Sequence, residues 1–173
     1  MAHTASPKDP SDEIVLHLQQ LRAFAISLTR NPTSADDLVQ DTVVKAWKSF
    51  HSFQPGTNLQ AWLFTILRNT FYSDMRKARH EYVSSDDQIA DELASHDHGD
   101  GQIAMIDFER ALGMLPAEQR EALVLVGASG LSYEDAAATC GVAVGTIKSR
   151  INRGRARLAE ILDRDPKNGG AAN

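Results

Sequence analysis

The stretch Leu131–Ala159, LSYEDAAATCGVAVGTIKSRINRGRARLA, predicts two helices joined by a tight turn. Ser132 precedes the first helix and an acid follows three residues later, which is a weak form of the capping box. Gly141 supplies a turn that a β-carbon would obstruct. Ala137 is small where the two helices approach each other, and Ile147 points back into the angle between them. Together these spacings predict a helix-turn-helix unit that binds duplex DNA.

The second helix of this unit has one apolar and one basic side when its residues are placed about 100° apart. The apolar side carries Val144, Ile147, Ile151 and Leu158. The opposite side carries Ser149, Asn152 and Arg153, flanked by Lys148, Arg150, Arg155 and Arg157. A run of one charge sign can be an ordinary solvated helix face. Because this run follows a turn of helix-turn-helix spacing, it favours contact with DNA phosphates.

The charge balance of the whole chain points to a partner in DNA binding. The 173 residues carry a net charge of −5, which disfavours tight binding to DNA by the chain alone. A first basic patch falls in residues 68–79 and a second in the helix-turn-helix. Between them, residues 81–103 contain no Lys or Arg and carry the acids Glu81, Asp86, Asp87, Asp91, Glu92, Asp97 and Asp100. We therefore expect two basic patches, an acidic segment between them, and an anchoring partner.

Several classes of protein are disfavoured by composition. A single cysteine excludes an internal disulfide, and Cys140 fits the apolar side of its helix as a small buried residue. The sequence predicts no membrane-spanning helix and no signal peptide, so we expect a cytoplasmic protein. His96, Asp97, His98 and Asp100 have the side chains of a metal site. They lack apolar neighbours that would fix a geometry, which disfavours a metal.

Three helices are predicted in the N-terminal half. The first runs from Glu13 to Arg30 with apolar residues Val15, Leu18, Leu21, Ala25 and Leu28, after a disordered tail. The second is capped by Thr33 or Ser34. Its predicted buried side is Leu38, Val39, Val43, Ala46, Trp47 and Phe50, and its polar side is Asp37, Gln40, Asp41 and Lys45. The paired acids lack a nearby His, Ser or Cys, which favours a protein-docking face over an acid–base or metal site.

The third helix follows the loop FQPGTN and begins near Leu59. Its apolar side is Leu63, Ile66, Leu67 and Thr70. A second stripe is Thr65, Arg68, Asn69, Tyr72, Arg76 and Arg79. Cations and aromatic rings in one stripe suit unpaired nucleic acid. The same stripe also fits an ordinary solvated face, and periodicity alone leaves both interpretations open.

The C-terminal half repeats the helical pattern around the helix-turn-helix. One helix has the apolar set Ile106, Phe108, Ala111 and Leu112, and the next is predicted from Pro116 to Val126. The predicted fold class is all-α, with two small helical domains joined by a flexible acidic linker. The predicted boundaries are a tail at 1–12, a domain at 13–80, the linker at 81–103, a domain at 104–163 and a tail at 164–173.

The order of these segments carries a resemblance over residues 13–163. DDLVQDTVVKAW, then NLQAWLFTILRNTFYSDMRKAR, then LGMLPAEQREALVLVGASGLSYEDAAATCGVAVGTIKSRINRGRARL closely resemble the extracytoplasmic-function (ECF) sigma factors. These are two-domain initiation subunits of bacterial RNA polymerase, in the sigma-70 family. The acidic linker and the form FQPGTNLQAWLFTILRNTFYSDMRK resemble the EcfG-type group, the general stress response sigma factors of alphaproteobacteria.

The resemblance implies roles for matching residues. Docking on the clamp coiled coil of the polymerase β′ subunit is implied for Asp37, Leu38, Gln40, Asp41 and Trp47. Contact with the −10 element is implied for Asn58, in the loop Phe53–Gln60, and for Arg68, Asn69, Tyr72, Arg76, Lys77 and Arg79. Reading of the −35 element is implied for Lys148, Ser149, Asn152 and Arg153, with phosphate contacts from Thr146, Arg150 and Arg155.

The resemblance also implies partners and excludes chemistry on a substrate. Core RNA polymerase and promoter DNA are the implied partners, and neither a cofactor nor a small-molecule substrate nor a membrane is implied. A small helical anti-sigma factor similar to NepR would hold the protein inactive until a PhyR-like response regulator removes it. Two alternatives remain, a sigma-like decoy that binds the anti-sigma factor and not DNA, and an enzyme.

Overall fold

The computed structural model describes residues 10–82 and 108–163, which form two compact helical units. One unit lies within Met1–Asp87 and the other within Gln88–Asn173. All regular structure in the two described ranges is helical. The all-α fold class is therefore confirmed. Several predicted features lie outside the described residues: residues 83–103 of the acidic linker, with the four residues considered for a metal site, Ile106 of the next predicted helix, residues 1–9 of the N-terminal tail and the whole C-terminal tail.

Within residues 10–82, the first unit contains four α-helices and one short 3₁₀ turn. The helices are α1 (Pro10–Val15), α2 (Leu18–Thr29), α3 (Pro32–Ser49) and α4 (Leu59–Tyr82), and the 3₁₀ turn is Phe50–Ser52. The prediction of a single helix from Glu13 to Arg30 is wrong, because a turn interrupts the helix between α1 and α2. The predicted tail is wrong in part, because α1 begins at Pro10.

The break between α1 and α2 changes which apolar residue is buried. Ile14 is buried, whereas Val15 is 60 % exposed, contrary to its predicted place on the apolar side. The backbone N–H of His17 donates to the carbonyl of Ile14 at 3.0 Å, which closes the turn between the helices. Burial lowers the pKa of His17 below its usual value, against a smaller upward effect of Glu13.

The junction of α2 and α3 is held by a side-chain cap and an ion pair. Asn31 Oδ1 accepts a hydrogen bond from the backbone N–H of Ser34 at 3.0 Å, and Pro32 is the first residue of α3. The predicted cap at Thr33 or Ser34 is therefore wrong by two or three positions. Arg22 Nε donates to Asp36 Oδ1 at 2.7 Å and so links α2 to α3.

The core of the first unit is an aromatic contact surrounded by aliphatic side chains. Phe24 of α2 and Phe64 of α4 meet edge to face with their ring centroids 5.1 Å apart, and both are fully buried. Each such side chain stabilises the fold by roughly 1.5–3 kcal/mol. The predicted burial of Trp47 is wrong, because 53 % of it is exposed. Thr42 is instead fully buried on the core side of α3, and its hydroxyl donates to the Leu38 carbonyl at 2.7 Å.

The second unit contains the remaining helices. They are α5 (108–113), α6 (Ala117–Leu123), a π-helical turn (Val124–Ala128), α7 (Tyr133–Cys140) and α8 (Val144–Asp163). The helix predicted over Pro116–Val126 changes register at Val124, where the Ser129 N–H donates to the Val124 carbonyl at 2.9 Å. Phe108 is 40 % exposed, so its predicted burial is wrong.

The helix-turn-helix has the predicted local structure. Ser132 Oγ accepts from the backbone N–H of Asp135 at 3.0 Å, which caps α7. Gly141 ends α7 with φ +67°, in the left-handed region that favours glycine. Cys140 and Ile147 are buried at the angle between the helices. The predicted cap, turn and buried residues are confirmed.

A close contact between α6 and α8 was not predicted. Gly154 of α8 is buried, and a β-carbon there would lie 2.9 Å from Leu123 Cδ1 and 3.3 Å from Gln119 Cβ. The backbone of α8 therefore packs directly on side chains of α6. Glycine inside a helix costs roughly 0.5–1 kcal/mol relative to alanine, and this contact gives it a structural reason.

We expect Gly154→Val to destabilise the protein by ~1–3 kcal/mol, because a branched side chain cannot fit between α8 and α6. Gly154→Ala should be close to neutral. Alanine gains ~1 kcal/mol in helix propensity over glycine. This gain offsets the cost of the contact between the new methyl group and the end of the flexible Leu123 side chain. Urea unfolding measures both, with the exposed Ala159→Val as the matched control. Equal losses for Gly154→Val and Ala159→Val would contradict the close contact.

Candidate nucleic-acid interfaces and docking face

The outward side of α8 carries an ordered row of polar side chains. Lys148, Ser149, Asn152 and Arg153 are all exposed, as predicted for a DNA-reading face. Ser149 Oγ donates to the Thr146 carbonyl at 3.0 Å, and Arg153 Nη2 donates to Ser149 Oγ at 3.3 Å. These bonds orient neighbouring side chains of the row one turn apart along the helix.

The five cations of α8 fall into two groups. Arg150 Nη2 lies 3.1 Å from Glu118 Oε2, and Arg157 Nη1 lies 3.3 Å from Glu160 Oε2. Within residues 10–82 and 108–163, no carboxylate lies within ion-pair distance of Lys148, Arg153 or Arg155. The available positive charge of α8 therefore resides on these three side chains. Arg150 is separated from them, since its side chain is only 12 % exposed.

Tyr133 is a neighbour of this face that sequence reasoning missed. It is the first residue of α7, and Lys148 Nζ lies 5.8 Å from the centroid of its ring. A cation over an aromatic ring is attracted by about 0.5–1 kcal/mol at an exposed site. The signal in the sequence was an aromatic directly after the cap of the first helix. Tyr133 therefore restricts where the Lys148 ammonium group lies.

The stripe on α4 is present, and its members differ in exposure. Asn69, Arg76, Lys77 and Arg79 are exposed. Arg68 and Tyr72 are half-buried, with the guanidinium carbon 4.6 Å from the ring centroid. The Tyr72 ring also meets Phe71 edge to face at 5.2 Å. The stripe is thus a cationic surface whose aromatic member is held by two neighbours.

The loop before α4 is held by aromatic rings and a cap. The rings of Phe50, Phe53 and Trp62 form a cluster with centroid distances of 5.4–6.1 Å. Asn58 Oδ1 accepts from the backbone N–H of Ala61 at 3.2 Å, which caps the first turn of α4. Gly56 adopts φ +88° between them. Sequence reasoning placed Asn58 on the surface, and it missed the aromatic cluster that fixes the loop.

The predicted docking face of α3 combines acids with exposed apolar groups. Asp37, Gln40 and Asp41 are exposed, and Trp47 and Val44 are each about half exposed. Leu38 was assigned to this face, and that assignment is wrong because only 6 % of it is exposed. The face therefore joins carboxylates to a large aromatic side chain, and tryptophan is enriched among the residues that contribute most to protein interfaces.

Family comparisons agree with this arrangement of two units. Residues 14–81 match the family described as Sigma-70 region 2, and residues 105–158 match Sigma-70, region 4. The class is thus that of the sigma-70 proteins. The chain is also 57 % identical to the ECF RNA polymerase sigma factor EcfG of Rhodopseudomonas palustris (strain TIE-1), over 87 % of this chain and 83 % of that protein. The chain belongs to the ECF RNA polymerase sigma factors.

Solved structures support the same family. The sigma factor RpoE of Bartonella quintana, in complex with the anti-sigma factor NepR, is 55 % identical with a TM-score of 0.83, covering 92 % of this chain and 99 % of that one. CnrH in complex with the cytosolic domain of CnrY is 32 % identical with a TM-score of 0.66, covering 90 % of this chain and 88 % of that one. The resemblance in the sequence is confirmed.

Membership defines the general activity. A sigma factor directs promoter-specific initiation by RNA polymerase and is not an enzyme by itself. In the described residues, no helix is long and apolar enough to cross a membrane. No group of three or more His, Cys, Asp or Glu side chains there could hold a metal ion.

We expect Asn58→Ala to lower stability by ~1 kcal/mol, because α4 loses the cap on its first turn. Asn58→Asp should retain stability, since aspartate caps helices about as well as asparagine. Thermal unfolding measures both, and Asn152→Ala is the control at an exposed position inside a helix. A loss for Asn58→Asp as large as that for Asn58→Ala would contradict a capping role.

Proposed function

We propose that this chain holds RNA polymerase on two-element promoters through three surfaces. The outward side of α8 reads the −35 element, the loop before α4 together with the α4 stripe binds the −10 element, and the polar face of α3 docks on the β′ clamp coiled coil. The observation that carries the proposal is the sidedness of α8. Ile147 and Ile151 are buried on one side, and the cations without a carboxylate partner lie on the other.

Recognition at −35 follows from the chemistry of the α8 face. Arginine and lysine bind the acceptor edge of guanine in the major groove, and asparagine binds adenine. Lys148, Ser149, Asn152 and Arg153 are therefore assigned to base edges, and Thr146 and Arg155 to phosphates. Phosphate contacts fix orientation, whereas base contacts supply sequence preference.

Recognition at −10 requires unpaired bases, and the first unit offers a surface for them. Asn58 presents an amide at the end of the loop, Asn69 presents an exposed amide on α4, and Tyr72 presents an aromatic ring. Arg68, Arg76, Lys77 and Arg79 supply charge for the strand backbone. Extruding a base from the stack costs a few kcal/mol, which capture in a held pocket offsets. The aromatic cluster of Phe50, Phe53 and Trp62 holds the chain next to the loop in place before DNA arrives.

Docking on polymerase is assigned to Asp37, Gln40, Asp41 and Trp47 of α3. The carboxylates favour a basic partner surface, and the exposed indole of Trp47 supplies apolar area at the contact. Because polymerase and chromosomal DNA occupy the bacterial cytoplasm, this role places the protein there. Control by a small helical anti-sigma factor similar to NepR is supported by the complex of the similar sigma factor RpoE with the anti-sigma factor NepR, and a role in a general stress response by the 57 % identity to EcfG.

Transcription in vitro tests the proposal directly. The chain mixed with core polymerase should start transcripts on a template with both promoter elements, and not on one with both scrambled. The decoy alternative predicts no transcript together with tight binding to a NepR-like protein. That outcome would overturn the proposal, whereas a transcript that disappears when the NepR-like protein is added would support the proposed regulation.

We expect Asp41→Ala to weaken binding to core polymerase by on the order of tenfold, equal to ~1.4 kcal/mol, because a carboxylate is lost from the docking face. Fluorescence anisotropy of labelled protein with core enzyme measures the affinity. Glu109→Ala, which removes an exposed acid from the other unit, is the control. Unchanged core affinity in Asp41→Ala would refute the docking assignment.

We expect Arg153→Ala to weaken promoter binding by ~1–3 kcal/mol, since a base-edge contact is lost. Initiation from a −35-dependent promoter should fall accordingly. Arg157→Ala is the control, because its guanidinium is paired with Glu160 on the same helix. Promoter competition assays compare intact and scrambled −35 elements. If Arg153→Ala has the same effect on both templates, the residue does not read the −35 sequence.

A further inference from the structure

Arg150 occupies a different environment from the other cations that face outward on α8. Its side chain is 12 % exposed, and its Nη2 atom lies 3.1 Å from Glu118 Oε2 on α6. Arg153 and Arg155, three and five residues further along, are exposed. A guanidinium with this little exposure already has its main electrostatic partner inside the unit.

The ion pair lies on the same side of α8 as the tight contact of Gly154. Arg150 and Gly154 are four residues apart and therefore lie on one side of the helix. Their partners on α6 are Glu118 for Arg150, and Gln119 and Leu123 for Gly154. The two contacts are about one turn apart on α8, and their partners on α6 extend from Glu118 to Leu123. Two contacts at different heights fix both the separation and the angle of two packed helices.

We infer that Arg150 is a positioning residue of the −35 reader and not a DNA contact, and that Glu118 is its partner in this role. The pair holds α8 on α6 so that Lys148, Arg153 and Arg155 are presented together. This inference rests on the proposed function of α8 and concerns how its face is held. It changes the phosphate role that the sequence resemblance implied for Arg150.

A phosphate contact by Arg150 would require the loss of an existing interaction. The guanidinium would leave Glu118 and its partly buried place beside α6, and the Glu118 carboxylate, which is 69 % exposed, would be left to water. Lys148, Arg153 and Arg155 need no such exchange, since in the described part of the chain none of them has a carboxylate partner. Electrostatics therefore favour DNA contact by these three before Arg150.

Salt dependence separates the two roles. Each phosphate contact contributes about 0.9 to the slope of log affinity against log salt. Holoenzyme carrying wild-type chain, Arg150→Gln or Arg155→Gln is titrated with promoter DNA over a KCl series. Arg155→Gln, which removes an assigned phosphate contact, should flatten the slope by up to about one unit. Arg150→Gln should lower affinity by a similar factor at every salt concentration and leave the slope unchanged. Flattening of the slope by Arg150→Gln would overturn the inference.

A charge exchange tests the partnership with Glu118. Arg150→Glu should weaken binding to a −35-dependent promoter on the order of tenfold, because two carboxylates then face each other. Adding Glu118→Arg should restore affinity to within a few-fold of wild type, since the pair is re-formed in reverse. The matched control is Arg153→Glu with Glu118→Arg, where no rescue is expected. This control excludes a general gain from added positive charge.

The outcomes distinguish this inference from the proposed function. A wild-type holoenzyme indifferent to the −35 sequence refutes the proposed function, and the inference with it. Normal −35 dependence in wild type, combined with a double exchange that stays as weak as Arg150→Glu alone, refutes only the positioning role. Thermal unfolding of each variant confirms that it is folded, and Arg150→Lys supplies a conservative variant that keeps the charge at this position.

Discussion

The contact of α8 with α6 is the constraint on which the DNA-reading face depends. A helix can present one ordered side to a groove only when its other side is fixed, and here the fixed side includes Ile147, Ile151 and Gly154. Glycine allows the α8 backbone to touch Leu123 directly. Side chains and the α8 backbone both take part in this contact. A small change in it therefore tilts the whole DNA-reading face instead of displacing a single residue.

In the first unit, one long helix, α4, has a buried part near its start and an exposed cationic part further along. The helix α4 buries Leu63, Phe64 and Leu67 against α2 and α3 near its start, and its residues from Asp74 to Glu81 are exposed. The buried part is therefore anchored, and the exposed cationic part extends beyond the core. Binding of unpaired DNA needs both features, since the bases must meet fixed groups while the strand backbone meets accessible charge.

Sequence periodicity predicted the helix-turn-helix and the start of α4 because both depend on local signals. Ser132 and Gly141 act within a few residues of themselves, so their roles could be inferred without knowing the fold, whereas the capping role of Asn58 was not predicted. Periodicity could not decide which apolar residues are covered. Trp47 fits the apolar pattern of α3 and is nevertheless half exposed, because coverage depends on neighbouring helices. The register change at Val124 and the approach of Gly154 to Leu123 also depend on tertiary contacts.

The net charge of −5 is compatible with DNA binding by the holoenzyme when the cations of α8 are divided into those paired with an acid and those that are not. Two of the five, Arg150 and Arg157, are neutralised by acids of their own unit. The remaining three give a modest salt-dependent attraction to DNA, which an overall negative chain weakens further. A second DNA-binding surface and anchorage on polymerase convert each weak contact into an intramolecular one with a high effective concentration. Weak binding by the isolated chain is therefore compatible with specific binding by the holoenzyme, and it leaves promoter choice under the control of polymerase binding.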